Sequence, residues 1–109
     1  METALKRIKQ YYNPGSCWIA EVNSKLVGIL TSKPDNVYDN QELCIDVISV
    51  DPEHHKSGIG SKLLQTAENY AKTQGYEATW LSASVDLPSF NWYMKTGFKE
   101  TSWKILVKP

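Results

Sequence analysis

Val50-Asp51-Pro52-Glu53-His54-His55-Lys56-Ser57-Gly58-Ile59-Gly60-Ser61-Lys62-Leu63-Leu64 is the stretch that decides how the chain is read. A β-rich run ends at Val50-Asp51, because Pro52 restricts the residue before it and cannot donate to a ladder. A basic loop follows, and Gly58 and Gly60 open a segment whose apolar positions Ile59, Leu63, Ala67, Tyr70 and Ala71 share one helical stripe, with Leu64 at its margin. Lys62, Gln65, Glu68 and Lys72 face outward, so the spacing predicts a helix over Gly58–Gln74, closed by Gly75. The first N–H groups of a helix have no partner inside it and carry the positive end of its dipole. A glycine there lets an anion approach the backbone without a Cβ in the way. The stretch is therefore built to seat a phosphate, and His54, His55, Lys56 and Lys62 add local positive charge.

Working outward, Glu42–Val50 reads as a strand, and the polar run Ser32–Gln41, with Pro34, Asp35, Asn36, Asp39 and Asn40, reads as a surface loop. Cys17–Val22 and Leu26–Thr31 form a hairpin around Asn23-Ser24-Lys25. Leu5, Ile8 and Tyr12 recur at helical spacing, which predicts a short amphipathic helix over Thr3–Tyr12, stopped by Asn13-Pro14-Gly15-Ser16. Beyond the central helix, Glu77–Val85 reads as a strand, and Pro88 opens a helix running to Lys95. Gly97 closes it, and Phe98–Val107 returns as a last strand with Trp103, Ile105 and Val107 on one face. The predicted fold is mixed α/β (α+β): a mostly antiparallel central sheet, helices on both faces, and a parallel strand pair around the central helix. No repeat or linker interrupts the 109 residues, which read as a single domain over 1–109.

Composition narrows the function. Twelve Lys+Arg balance twelve Asp+Glu, and without a global basic excess no nucleic-acid partner is expected. The apolar run Leu26–Leu30 is far shorter than the roughly 20 residues of a membrane span, so no membrane partner is expected either. The amino terminus is charged where a signal peptide would be apolar, which reads as a cytoplasmic protein. Cys17 and Cys44 fit neither a disulfide framework nor a zinc motif and read as reduced structural thiols. His54 and His55 diverge as neighbours and no carboxylate or thiol spacing completes a site, so no metal is expected.

Glycine-rich anion sites come in distinguishable kinds. A Walker loop needs Gly-Lys-Ser/Thr at its end, whereas Gly60-Ser61-Lys62 has the wrong order. A dinucleotide fingerprint needs a small residue where Leu63 stands. The strand ending Val50-Asp51-Pro52, followed by His55-Lys56-Ser57-Gly58-Ile59-Gly60, instead resembles the acetyl-CoA signature of the GNAT superfamily of N-acetyltransferases. Trp92-Tyr93-Met94-Lys95-Thr96-Gly97-Phe98 is similar to a second signature of that family. The resemblance covers roughly residues 16 to 107, without an equivalent of the family's first strand and first helix. His55 stands where the family usually has Gln or Arg, and Lys56 where Gly is common.

The resemblance implies acetyl-CoA as co-substrate and a primary amine of a small molecule or protein as acceptor. Backbone N–H groups of Lys56, Ser57, Gly58, Ile59, Gly60 and Ser61, with His55 at the start of the signature, would hold the pyrophosphate. The main chain around Ile48 and Val50 would pair with the pantetheine arm. Asp86 and Ser89 would touch the CoA tail, and Tyr93 would lie beside the sulfur as general acid. A phenol with a pKa of roughly 10 is protonated at neutral pH and able to donate. A backbone N–H near Ile48 would stabilise the oxyanion, and Asp46, with Glu42 as the other candidate, would take the amine proton.

Each role has a plainer rival. Tyr93, beside Phe90, Trp92 and Phe98, also suits a packed aromatic cluster. Asp46 also suits a solvated strand edge, and Asp86 a helix cap. Trp18 or Trp80 would line an acceptor pocket if not in the core. The alternative function is a non-catalytic CoA-binding or interaction module, and completion of the acceptor pocket by a second subunit, as a homodimer, stays open.

Overall fold

A computed structural model describes residues 7–11, 16–37, 40–54, 58–102 and 104–108. Five strands form one sheet in sequential order: β1 (Arg7–Tyr11), β2 (Ser16–Val22), β3 (Lys25–Val37), β4 (Asn40–Val50) and β5 (Thr79–Trp80). A 3-10 turn (Pro52–His54) and helix α1 (Ile59–Thr73) connect β4 to β5, and α2 (Pro88–Lys95) follows. The first four strands pair antiparallel, and β5 runs parallel to β4, as a single intervening helix requires. This is the expected mixed, mostly antiparallel sheet with helices.

β2 buries Ser16, Trp18, Ala20 and Val22 on alternate positions, the period-2 pattern of a half-buried strand. Asn23 and Ser24 both take positive φ, 53° and 64°, so the hairpin turns on two residues and Lys25 joins β3. α1 lies across the face formed by Trp18, Ala20, Leu30 and Leu43, and inserts Ile59, Leu63, Leu64, Ala67 and Ala71. Its close approach depends on Gly28 in β3, where a Cβ would come within 3.2 Å of both Ile59 Cγ2 and Leu63 Cδ1. Burying each of the leucines in this layer contributes about 1.5–3 kcal/mol.

Four sequence expectations are corrected. Arg7–Tyr11 is not helical: it is β1, pairing Ile8 with Ala20, and Ile8 packs against the core. Five residues with one anchor are too short to hold a helix alone, and the free edge of β2 offers hydrogen bonds instead. The remaining residues of that expected helix, 3–6 and 12, lie outside the described residues.

The expected loop Ser32–Gln41 is mostly ladder, because β3 continues to Val37 against Asn40–Cys44 of β4. Pro34 is tolerated since β2 stops pairing at Ser32, which leaves β3 an edge strand from there on. The strand expected over Glu77–Val85 shrinks to Thr79–Trp80, where β5 parts from β4. Among the described residues of Phe98–Val107 there is no strand at all: no neighbouring strand lies beyond β5 to pair with. Trp103 lies outside the described residues.

Candidate active site

The two edges of β4 differ. Toward β3 it is paired from Asn40 to Val50, with the register shifting at Thr31/Ser32 so that Asp46 bulges between the pairs of Ile45 and Val47. Toward β5 the ladder holds only Leu43 with Thr79 and Cys44 with Trp80. From Ile45 to Val50 that second edge has no strand beside it among the described residues. A strand rises by ~3.3 Å per residue, so Asp46 to Ser49 runs for about 10 Å with no strand on that side among the described residues. Ile48 and Val50 are half-buried here, with side chains packed on the core and main chain along this edge.

The open edge ends where α1 begins. Val50 Cγ2 lies 3.7 Å from the position a Cβ would take on Gly60. The first helical hydrogen bond runs from Lys62 N–H to Gly58 O at 3.0 Å, so the N–H groups of Ile59, Gly60 and Ser61 precede the helical ladder. Among the described residues no side chain caps this end. The chain turns into the helix through a 2.8 Å bond from His54 N–H to Asp51 O, with Glu53 N–H donating to Asp51 Oδ1 at 3.2 Å.

The two glycines of the signature serve different ends. Gly58 is the N-cap at φ 83°, a left-handed conformation, with nothing within 4 Å of its absent Cβ. Gly60 makes room for a neighbour: a Cβ there would stand 3.3 Å from Trp92 Cζ2. The space at Gly60 is thus taken by an α2 side chain, and an anion would meet its N–H rather than its missing Cβ. Ile59 is 2% exposed and turns its side chain into the core, so only its backbone faces the helix start. Ser61 is exposed. His55, Lys56 and Ser57 lie outside the described residues.

Tyr93, next to Trp92 on α2, packs against Trp92 and Phe98 at ring-centroid separations of 5.1 and 5.9 Å. Burial pushes its phenol above the ordinary value of 10.0, which keeps the hydroxyl protonated. Thr96 and Phe98 fold back onto its carbonyl: Thr96 Oγ1 donates at 2.7 Å and Phe98 N–H at 3.3 Å. Asp86 and Ser89 are exposed at the entry to α2. Asp86 does not cap that helix: the cap position is Leu87, with Pro88 in the first turn and no side-chain cap bond.

At the other end of the open edge, Asp46 is exposed and lines a cavity of about 310 Å³ with Lys33, Asp35, Cys44, Trp80 and Ser82. Lys33 and Asp35 arrive there because β3 extends past Thr31, which is why reading this run as a loop missed them. Tyr93 is not among the residues that line this cavity. Cys44 Sγ donates to Asp46 Oδ1 at 3.8 Å. Burial first, and the Asp46 carboxylate second, push the Cys44 thiol up, which disfavours a nucleophilic thiolate. The Trp80 indole Nε1 is a buried donor without a hydrogen-bond partner among the described residues. Trp18, at 2% exposed, belongs to the core. Among the described residues no cluster of His, Cys, Asp and Glu could hold a metal ion, and no helix is long and apolar enough to cross a membrane.

An uncapped helix start at the end of a half-unpaired strand coincides with a match to the acetyltransferase (GNAT) family model over residues 2–98. The chain belongs to this family. Human N-acetyltransferase 8B is 36% identical over 91 residues, 80% of this chain and 40% of that protein. Rat N-acetyltransferase 8F1 is 31% identical over 102 residues, 90% of this chain and 46% of that protein. The chain thus spans less than half the length of these curated relatives. A solved aminoglycoside N-acetyltransferase in complex with CoA shares the fold at a TM-score of 0.77, covering 86% of this chain and 66% of its own, with 18% identity.

Proposed function

We propose that residues 1–109 act as one cytoplasmic N-acetyltransferase domain that moves an acetyl group from acetyl-CoA directly to a primary amine. The observation that carries this reading is the continuity of β4's open edge, from Ile45 to Val50, with the uncapped start of α1. The helix-start N–H groups of Gly58, Ile59, Gly60 and Ser61, with the loop His55, Lys56 and Ser57, would meet the pyrophosphate. The main chain around Ile48 and Val50 would pair with the pantetheine arm as an added strand. Asp86 and Ser89, exposed at the start of α2, would meet the CoA tail.

In the transfer step the amine nitrogen attacks the thioester carbonyl carbon. A C–N bond forms, the C–S bond breaks, and the leaving sulfur takes a proton. Tyr93, held protonated by burial, is the donor in this reading. Asp46 accepts the proton that the amine releases, and its exposure leaves room for the acceptor or a bridging water. Much of the acceleration comes from holding the two reactants side by side. Trp80, with its unpartnered indole N–H, forms a rim of the acceptor cavity.

The test is release of CoA thiol from acetyl-CoA with a panel of small amines and peptide amino termini. Amine-dependent release supports the enzyme. Tight acetyl-CoA binding with no release by any amine supports a binding module instead. Gly58→Asp against Gly58→Asn isolates the anion seat, since both side chains tolerate left-handed backbone and have open space around them. Acetyl-CoA affinity should fall for Asp and hold for Asn. Equal affinity for both variants would remove the pyrophosphate from the helix start.

A further inference from the structure

We propose that Lys33 is an acceptor built into the chain itself, a modification site whose amine takes the acetyl group from acetyl-CoA bound to the same molecule. This inference rests on the acetyl-transfer reading and adds an acceptor to it. The register sets Lys33, Cys44 and Trp80 in one row across β3, β4 and β5, since Lys33 pairs with Cys44 and Cys44 with Trp80. Directly paired residues share a face of the sheet. Leu43 and Ile45, on either side of Cys44, belong to the core under α1, so the row lies on the opposite face. Asp46 joins it there, its Oδ1 accepting from Cys44 Sγ at 3.8 Å.

Lys33, Asp35, Asp46, Trp80 and Ser82 line one cavity of about 310 Å³ with Cys44. Burial pushes the Cys44 thiol up, the Asp46 carboxylate adds to the push, and the Lys33 ammonium pulls against both. The charge of Lys33 is therefore felt beside Asp46, the side chain assigned to take the acceptor's proton. An arm paired along Ile48 and Val50, with its pyrophosphate at the start of α1, brings its thiol end toward this cavity. Lys33 is exposed, and its flexible four-carbon stem lets the nitrogen swing across the cavity to the thioester.

The step needs no reactant beyond acetyl-CoA. The ammonium of Lys33 first loses one proton, to Asp46 and then to solvent. The neutral nitrogen attacks the thioester carbonyl carbon, and a C–N bond forms as the C–S bond breaks. The nitrogen's second proton goes to the leaving sulfur, which gives an amide on Lys33 and free CoA thiol. The amide is uncharged, so modification removes a positive charge from a cavity that also holds Asp35 and Asp46.

The test incubates the full chain with acetyl-CoA and no added amine, then maps acetyl-lysine by peptide mass spectrometry. Lys33 should be acetylated at least about tenfold faster than the exposed Lys25 and Lys95. The rate per chain should not change with protein concentration, because donor and acceptor sit in one molecule. At subsaturating acetyl-CoA, Gly58→Asp should slow it in step with the loss of cofactor affinity. Lys33 acetylated no faster than Lys25 overturns the proposal, as does a rate per chain that rises with protein concentration. Release of CoA thiol with an added small amine, measured alongside, separates the two possible failures. Release with Lys33 unmodified overturns this inference alone; neither release nor modification overturns the acetyl-transfer reading as well.

Discussion

Strand β4 has one edge spent on stability and one left free, and the contrast organises the molecule. On the β3 side, ten paired positions run from Gly28–Val50 to Val37–Asn40 and fix the register, with one irregularity at Asp46. On the β5 side, two pairs hold and no further strand lies alongside among the described residues. Unpaired backbone in a sheet is a standing invitation to another extended chain. The molecule leaves that invitation beside a helix start with free N–H groups, and stabilises itself on the opposite edge.

The sharpest way to break the comparison is to damage the paired side alone. Leu30→Ala removes a fully buried side chain from β3 and should cost about 2–5 kcal/mol in urea unfolding. Acetyl-CoA affinity per folded molecule should not change; a parallel loss would mean that the two edges are not separable. On the open side, Tyr93→Phe should lower kcat about a hundredfold while leaving acetyl-CoA affinity intact. Unchanged turnover would reduce Tyr93 to its packing with Trp92 and Phe98.

A smaller effect is expected at the helix start. Gly58→Ala forces a Cβ onto backbone at φ 83° and should cost about 1–2 kcal/mol of stability. A loss of that size would locate the cost in conformation, since no atom of the described residues lies within 4 Å of the added Cβ. The smallest expected effect lies at Cys44, where the paired and open edges meet. Its folded thiol ionises above the ordinary 9.0, so the unfolded chain releases the proton first. Stability from this group is complete below that value and is lost as pH rises through the folded one. Comparing urea midpoints at about pH 7 and about pH 10, Cys44→Ala should show the shallower decline.

Elements whose partners are close in sequence were legible beforehand. The helix stripe from Ile59 to Ala71, its end at Gly75 and the span of α2 all appear where periodicity places them. So does the β2–β3 hairpin, apart from one turn residue. Elements whose state depends on a distant neighbour were misread. Arg7–Tyr11 became a strand because β2 had a free edge, and Ser32–Val37 because β4 came back alongside. Phe98–Val107 has the composition of a strand, yet no neighbour, and stays irregular among its described residues.

The site divides along the same line. Val50-Asp51-Pro52 and Gly58-x-Gly60 announce a helix start after a strand, because proline and glycine act through their own backbone. Sequence alone did not show that Trp92 occupies the space at Gly60, or that Lys33 and Asp35 reach the cavity of Asp46. Nor did it show how abruptly β5 leaves β4. Those facts are contacts between segments far apart in the chain, set by how the layers pack. Local pattern determined where this protein turns, coils and offers free N–H groups; tertiary packing alone decided which edges stay open.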